Sequence, residues 1–315
     1  MNTHELPMII FTVLGQLSVG AFVVLGIVQV AAHRRYGAAA VDTVTDPALY
    51  AIGPALVLGL GASMLHMNDV TNTVNVVRHL GTSWLSAEIV CGLAFAALGF
   101  AFATAQWFKW GTPTLRRVLA AVTAAVGLAL VAVMSMIYYT LVTVPAWHTW
   151  ATPVQFFTTT FLLGTVAVGA ALTATVIWRT HHTTTADAHD AAGNGATAPT
   201  TDLLAACLRG LGIAAVALLG AEFLIIPLSI TTLTATGGAA AAQSATVYTG
   251  AWFIARLTLV FTGAGLLAAF VLRYATTRTH PRTLALLTTT AFTLVLASEL
   301  IGRSLFYDSM TRIGM

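Results

Sequence analysis

Two ionisable residues at the edges of long apolar runs are the groups in this sequence best suited to proton chemistry. His66 stands where one run ends, in "SMLHM", and Glu88 where the next begins, in "GTSWLSAEIV". An ionisable group in a membrane helix is expensive, so each marks a candidate site. Histidine titrates near neutrality, and a carboxylate in a poorly solvated pocket holds a proton more readily than it does in water. Such a pair can accept the two protons that a lipid-soluble quinol must lose on oxidation. A plainer reading stays open beside it: a carboxylate favours the positive end of a helix dipole, and a histidine at a helix end can simply occupy the interface. Ser83 and Ser86 precede Glu88 as candidate helix caps. Arg78, Trp84 and Ser86 are candidates to line a quinol cavity shared by His66 and Glu88.

Other unusual residues have structural readings at least as strong. Glu222 lies in "LLGAEFLII", Arg256 in the following run, and Glu299 and Arg303 at i and i+4 in "ELIGRSLF". Carboxylates and guanidinia so placed are expected to pair and fasten a bundle; shaping a quinol or proton route is the alternative. Trp84, Trp147, Trp150 and Trp252 fall near run ends on one side, as in an interfacial aromatic belt, with stacking on a quinone ring as the alternative. Cys91 and Cys207 lack the paired spacing of a cluster or zinc site and count as small core hydrophobes. His181, His182 and His189 sit in a polar segment, where metal binding is the lesser reading, so no metal site is expected. A buried b-haem needs histidine pairs on facing helices. His4, His79 and His148 fall in connections, so no haem is expected, nor any iron–sulfur cluster or flavin, whose motifs are missing.

These residues must be positioned by helices. The chain is 57% hydrophobic and only 8% charged, with a mean hydropathy of +0.85, which cannot clothe a water-soluble globule. Eight runs have the length of about 20 residues needed to cross a bilayer: 7–32, 48–66, 84–108, 116–143, 153–178, 203–235, 250–273 and 283–305. The expected fold is an all-α integral membrane protein, a bundle of eight transmembrane helices forming one membrane domain over 1–315. Pro227 predicts a kink or an early end in the sixth run. The first run has no basic residue before it and is too long for a signal-peptide core, so it is expected to remain as a helix. The small, polar segment 180–202 is expected to be a flexible cytoplasmic loop.

Orientation follows from Arg34, Arg35, Lys109, Arg116, Arg117, Arg179, Arg273, Arg278 and Arg282, all in the connections after runs 1, 3, 5 and 7. Basic residues are held on the cytoplasmic side, so both termini are expected to be extracytoplasmic in a multi-pass cell-membrane protein. The basic balance is an inner-face asymmetry and makes no case for nucleic-acid binding. Almost all the polar and aromatic signals lie at the opposite, outer side.

In their order along the chain, "HELPMIIFTVLGQLSVG", "SMLHM", "GTSWLSAEI", "TVPAWHTWATPVQFF", "GAEFL" and "ELIGRSLFY" resemble the membrane anchor subunit of the DMSO reductase complex over nearly the whole length. The resemblance implies a haem-free subunit of anaerobic respiration that oxidises menaquinol, its quinol-site histidine and glutamate falling on His66 and Glu88. It further implies two partners docked on the outer face: a four-cluster iron–sulfur subunit and the molybdenum-cofactor subunit that carries the reductase centre. The chain departs from the family after the histidine, with "MNDV" where a Gly and then a Pro are expected. Alternatives are the anchor of a related molybdoenzyme acting on another S- or N-oxide, polysulfide or selenate, a secondary transporter, or an anchor without redox function.

Overall fold

Lipid gives a bare backbone no hydrogen-bond partners, so long apolar runs satisfy their amides internally as helices. The computed structural model describes residues 5–64, 81–186, 197–236, 238–276 and 281–314. Its long elements are α1 (Leu6–Tyr36), α2 (Ala38–Met64), α3 (Trp84–Trp107), α4 (Pro113–Tyr139), α5 (Ala151–Ala186) and α6 (Thr197–Thr236). After them come the short α7 (Gly238–Ala245), then α8 (Ala251–Val260) and α9 (Leu267–Thr276) joined through a π-helical turn at Phe261–Leu266, and finally α10 (Pro281–Asp308). Among the described residues, eight helical stretches are long and apolar enough to cross a bilayer, α8 to α9 making one of them. The chain is a multi-pass membrane protein.

Three boundaries differ from those expected. Helix α2 starts at Ala38 instead of near residue 48, running through Pro47 and Pro54. Helix α6 passes Pro227 without ending and continues to Thr236. The expected loop 180–202 is helical at both ends, since α5 reaches Ala186 and α6 begins at Thr197; residues 187–196 lie outside the described residues.

Local chemistry explains the helix ends. Pro7 occupies the first turn of α1, where its missing N–H is harmless. His33, Arg34 and Arg35 lie in the last turn, where cations suit the dipole. Gly37, at φ 79°, closes that helix with its N–H on the His33 carbonyl at 3.0 Å. At the start of α4 the Thr112 hydroxyl accepts the Leu115 N–H at 3.2 Å.

The first, third, fifth and seventh spans run from the end of the bundle that holds both described chain ends toward the opposite, basic end. Helices α1 and α5 are the most enclosed: 78% and 67% of their apolar stretches are buried, against 28–38% for the other six spans. They touch backbone to backbone, because Gly20 and Gly164 face each other; a Cβ on Gly20 would fall on the Thr160 carbonyl, and one on Gly164 on the Gly20 backbone. Close approach at small residues is how helices gain contact in lipid, where burial of apolar surface gives little drive. The outer faces of α2, α3, α6, α8 and α10 expose Val57, Leu58, Phe100, Leu224, Ile254 and Leu286, as a lipid-facing surface should.

At the basic end the Lys109 ammonium binds Asp42 at 3.1 Å and Asp46 at 3.0 Å, and Gln106 donates to Asp46 at 2.9 Å. This clamp joins the turn after α3 to the first turns of α2. Burial pulls the Lys109 ammonium down, but hydrogen bonds to Asp46 and Asp42 outweigh it and hold the group above its ordinary range. At the terminal end the Ile313 N–H donates to the Thr143 carbonyl at 2.9 Å, tying the tail to the α4–α5 connection.

Candidate functional site

Helix α3 begins at Trp84 because the extended Ser83 caps it, its hydroxyl accepting the Ser86 N–H at 3.4 Å. Ser83 is therefore the cap, and Ser86 contributes its backbone. One turn further in, Glu88 is only 5% exposed, and Ser86 beside it is also buried. Trp84 points outward at 46% exposure, as do Trp150 and Trp252. His66 and Arg78 lie outside the described residues. Of the residues singled out from the sequence, Glu88 and Ser86 thus share a buried location, while the Trp84 side chain stands at the surface.

The groups nearest Glu88 in kind are ones that sequence patterning did not select. The hydroxyls of Tyr138 on α4 and Tyr307 on α10 meet at 2.7 Å. Both phenols are buried, and both lie close enough to Glu88 to feel its charge. Thr12 on α1, whose hydroxyl donates to the Met8 carbonyl at 2.9 Å, lies near Tyr307. Around the pair the ring of Tyr138 meets Trp147, Phe156 and Phe306 at 5.2, 5.7 and 5.1 Å between centroids. Trp147, grouped by sequence with the interfacial tryptophans, is instead 5% exposed; it stacks on Phe306 and donates its indole N–H to the Phe306 carbonyl at 2.8 Å. The signal for this tryptophan was its place in "VPAWHTW", a tight turn whose Val144 carbonyl receives the Trp147 and His148 N–H groups at 3.0 Å.

Arg303, one turn below Tyr307 on α10, does not pair with Glu299 as its i,i+4 spacing suggests. Its guanidinium lies 3.8 Å above the Phe156 ring and donates to Gln16 Oε1 at 2.8 Å. Gln16, fully buried on α1, in turn donates to the Phe156 carbonyl at 3.2 Å. Arg256 on α8 takes the carboxylates instead: its Nη2 donates to Glu222 at 2.6 Å and stands 4.0 Å from Glu299. Glu299 Oε2 accepts the Thr159 hydroxyl at 2.7 Å. The expected pairing of Glu222, Arg256 and Glu299 is present, with a different partner for Arg303.

An array of helices that buries a carboxylate, a phenol pair and an arginine–glutamate group in one half of its length is a membrane subunit built around an internal polar site. Its sequence matches the family described as "DMSO reductase anchor subunit (DmsC)" over residues 1–308, and the chain belongs to that family. Among relatives, one from the anaerobic dimethyl sulfoxide reductase of Escherichia coli (strain K12) is 33% identical over 161 residues, 51% of this chain and 55% of that protein. A second from the same organism, the anaerobic dimethyl sulfoxide reductase component YnfH, is 31% identical over 171 residues, 54% of this chain and 58% of the relative. A shorter match, 31% over 115 residues, spans 32% of this chain and 35% of a sulfite dehydrogenase subunit from Allochromatium vinosum. The chain spans a little over half the length of the two E. coli relatives.

Proposed function

We propose that this chain oxidises menaquinol at a haem-free site beside Glu88 and passes the electrons to a four-cluster iron–sulfur subunit. That subunit feeds a molybdenum-cofactor reductase acting on DMSO or a related S- or N-oxide in anaerobic respiration. The observation that carries the reading is the buried Glu88 carboxyl, one turn inside an apolar helix and beside the Tyr138–Tyr307 pair. Oxidation of a quinol releases two electrons and two protons. Glu88 takes the proton of the hydroxyl it meets, and His66 is assigned the other, with Arg78, Trp84 and Ser86 as lining residues. The phenol pair, close enough to feel the charge of that carboxyl, adds a second polar group to the same buried region. The membrane face at which the termini lie is outward, as nine basic residues at the other end support, and the partners dock there.

Glu88→Gln keeps the size of the side chain and removes the proton acceptor. Quinol-dependent turnover of the assembled complex should fall by roughly two to four orders of magnitude, while reduction of the substrate by an artificial dye continues unchanged. Undiminished quinol turnover in this variant would overturn the assignment.

The similarity to a subunit of a sulfite dehydrogenase supports a second reading, the anchor of a related molybdoenzyme. In it the same carboxyl would donate a proton to a quinone that receives electrons. Complex-dependent reduction of a quinone by sulfite, with no oxidation of quinol by DMSO, selects it.

A further inference from the structure

Glu222, Arg256 and Glu299 reach one point from α6, α8 and α10, and all three are buried. The carboxyls of Glu222 and Glu299 stand at the same guanidinium nitrogen of Arg256, at 2.6 and 4.0 Å. Two bare carboxylates against one guanidinium leave a negative charge uncompensated where water is excluded, and a proton held by the pair removes it. The remaining oxygens agree with that. Among the described residues, the buried Glu222 Oε2 and Glu299 Oε1 meet no donor, and the Nε of Arg256 is likewise without an acceptor. Thr159 occupies the other oxygen of Glu299.

The charges facing the cluster leave one carboxyl unneutralised. Arg256 supplies one positive charge from α8. Arg303, the nearest further cation on α10, spends its guanidinium on Gln16 and on the Phe156 ring. From the terminal end the group facing Arg256 is Tyr248, which lies near Ser309. The backbone carbonyl of Arg256 accepts the Ser298 hydroxyl at 2.9 Å, which fixes α8 against α10 at the same level.

We propose that Glu222 and Glu299, clamped by Arg256, form a second intramembrane proton-binding site, separate from Glu88, in which the two carboxyls share one exchangeable proton. Loading forms one O–H bond at the expense of a hydronium O–H; no electron moves, and the cluster changes from one net negative charge to neutral. Toward the terminal end, Tyr248, close enough to Arg256 to feel its charge, lines a small cleft with Thr149, Gln155 and Phe306. The site stands whether or not Glu88 serves a quinol.

Infrared difference spectroscopy of the full chain in nanodiscs tests this directly. At neutral pH the protein should show a protonated-carboxyl C=O band that shifts in heavy water and persists in Glu88→Gln. The same band should vanish in Glu222→Gln and in Glu299→Gln alike, because removing either partner removes the shared proton. Both single variants should fold, since each leaves one carboxylate facing Arg256. The Glu222→Gln/Glu299→Gln double variant strands a buried arginine and should lose most folded yield. A band that survives when either single variant is combined with Glu88→Gln overturns the proposal. So does the lack of any such band in Glu88→Gln, a measurement that needs no change in the cluster.

Discussion

The Tyr138–Tyr307 contact can be weighed by deleting its two hydroxyls separately and together. At 2.7 Å between buried oxygens it is a short bond in a place water does not reach. Tyr307→Phe leaves the Tyr138 hydroxyl with no other partner among the described residues, so this variant should bear most of the penalty for an unpaired buried hydroxyl, about 2–3 kcal/mol. Tyr138→Phe leaves Tyr307 the nearby Thr12 hydroxyl as a substitute partner, and the cost should fall near the lower end, about 1 kcal/mol. The double variant has no stranded hydroxyl and keeps every ring contact with Trp147, Phe156 and Phe306. It should therefore cost less than the sum of the singles, by about 0.6–1.7 kcal/mol, the range of polar contacts in membrane bundles. Unfolding in mixed micelles gives the three free energies, and the fluorescence of buried Trp147 gives an independent probe of the same region. Costs that add to within about 0.3 kcal/mol would refute the bond as a coupled pair.

Gly20→Ala and Gly164→Ala each place a methyl group on the facing backbone, which flexible side chains cannot relieve. Each should lose at least about 1–3 kcal/mol, read as a fall in the fraction of monodisperse protein after detergent extraction, whereas Gly26→Ala, facing open space, should leave it unchanged. The Lys109 clamp is worth little, about 0.5 kcal/mol at most, because the lysine is half exposed. Since the folded lysine is held above its ordinary range, that stability is fully present below the range and lost as pH rises through it. Melting points at about pH 8 and about pH 11 should differ slightly more for the native chain than for Lys109→Met; an equal difference would show that the clamp contributes nothing. Reporter fusions after residue 35 and after residue 315 should report opposite compartments, and equal signals would defeat the proposed topology. Oriented proteoliposomes given quinol and an oxide should develop no sustained membrane potential if quinol protons are released on the side where the reductase consumes them. A potential abolished by uncoupler and by Glu88→Gln would show that placement to be wrong.

What could be read from the sequence was what the bilayer dictates locally. Long apolar runs had to be helices, and a carboxylate inside one, Glu88, had to be exceptional. Helix α2 began ten residues earlier than its hydropathy suggested because Asp42, Asp46 and Pro47 look like a loop. Their carboxylates are in fact satisfied by Lys109 and Gln106 from a turn far along the chain. The tyrosine pair was illegible for the same reason: Tyr138 and Tyr307 are 169 residues apart, and an isolated tyrosine at a helix end resembles any interfacial aromatic. Gln16 and Thr12 carry no charge to draw notice in an apolar run, yet Gln16 bonds Phe156 on another helix and Thr12 lies near Tyr307.

Arg303 joins the two polar groups of the bundle. An i,i+4 arginine would ordinarily close on the glutamate of its own helix. Here the Phe156 ring, 3.8 Å below the guanidinium, and the Gln16 carbonyl hold it toward α1 and α5 with neutral partners. That choice has two consequences. It keeps a positive charge beside Tyr307 and Tyr138, on the side where Glu88 lies, where it can favour an oxygen that is losing its proton. It also keeps the guanidinium from pairing directly with Glu299, whose one ion-pair partner among the described residues is Arg256, shared with Glu222. In a chain with so few charges, the placement of one guanidinium over an aromatic ring thus sets the charge around both the carboxyl proposed to take up a quinol proton and the pair proposed to hold a second one.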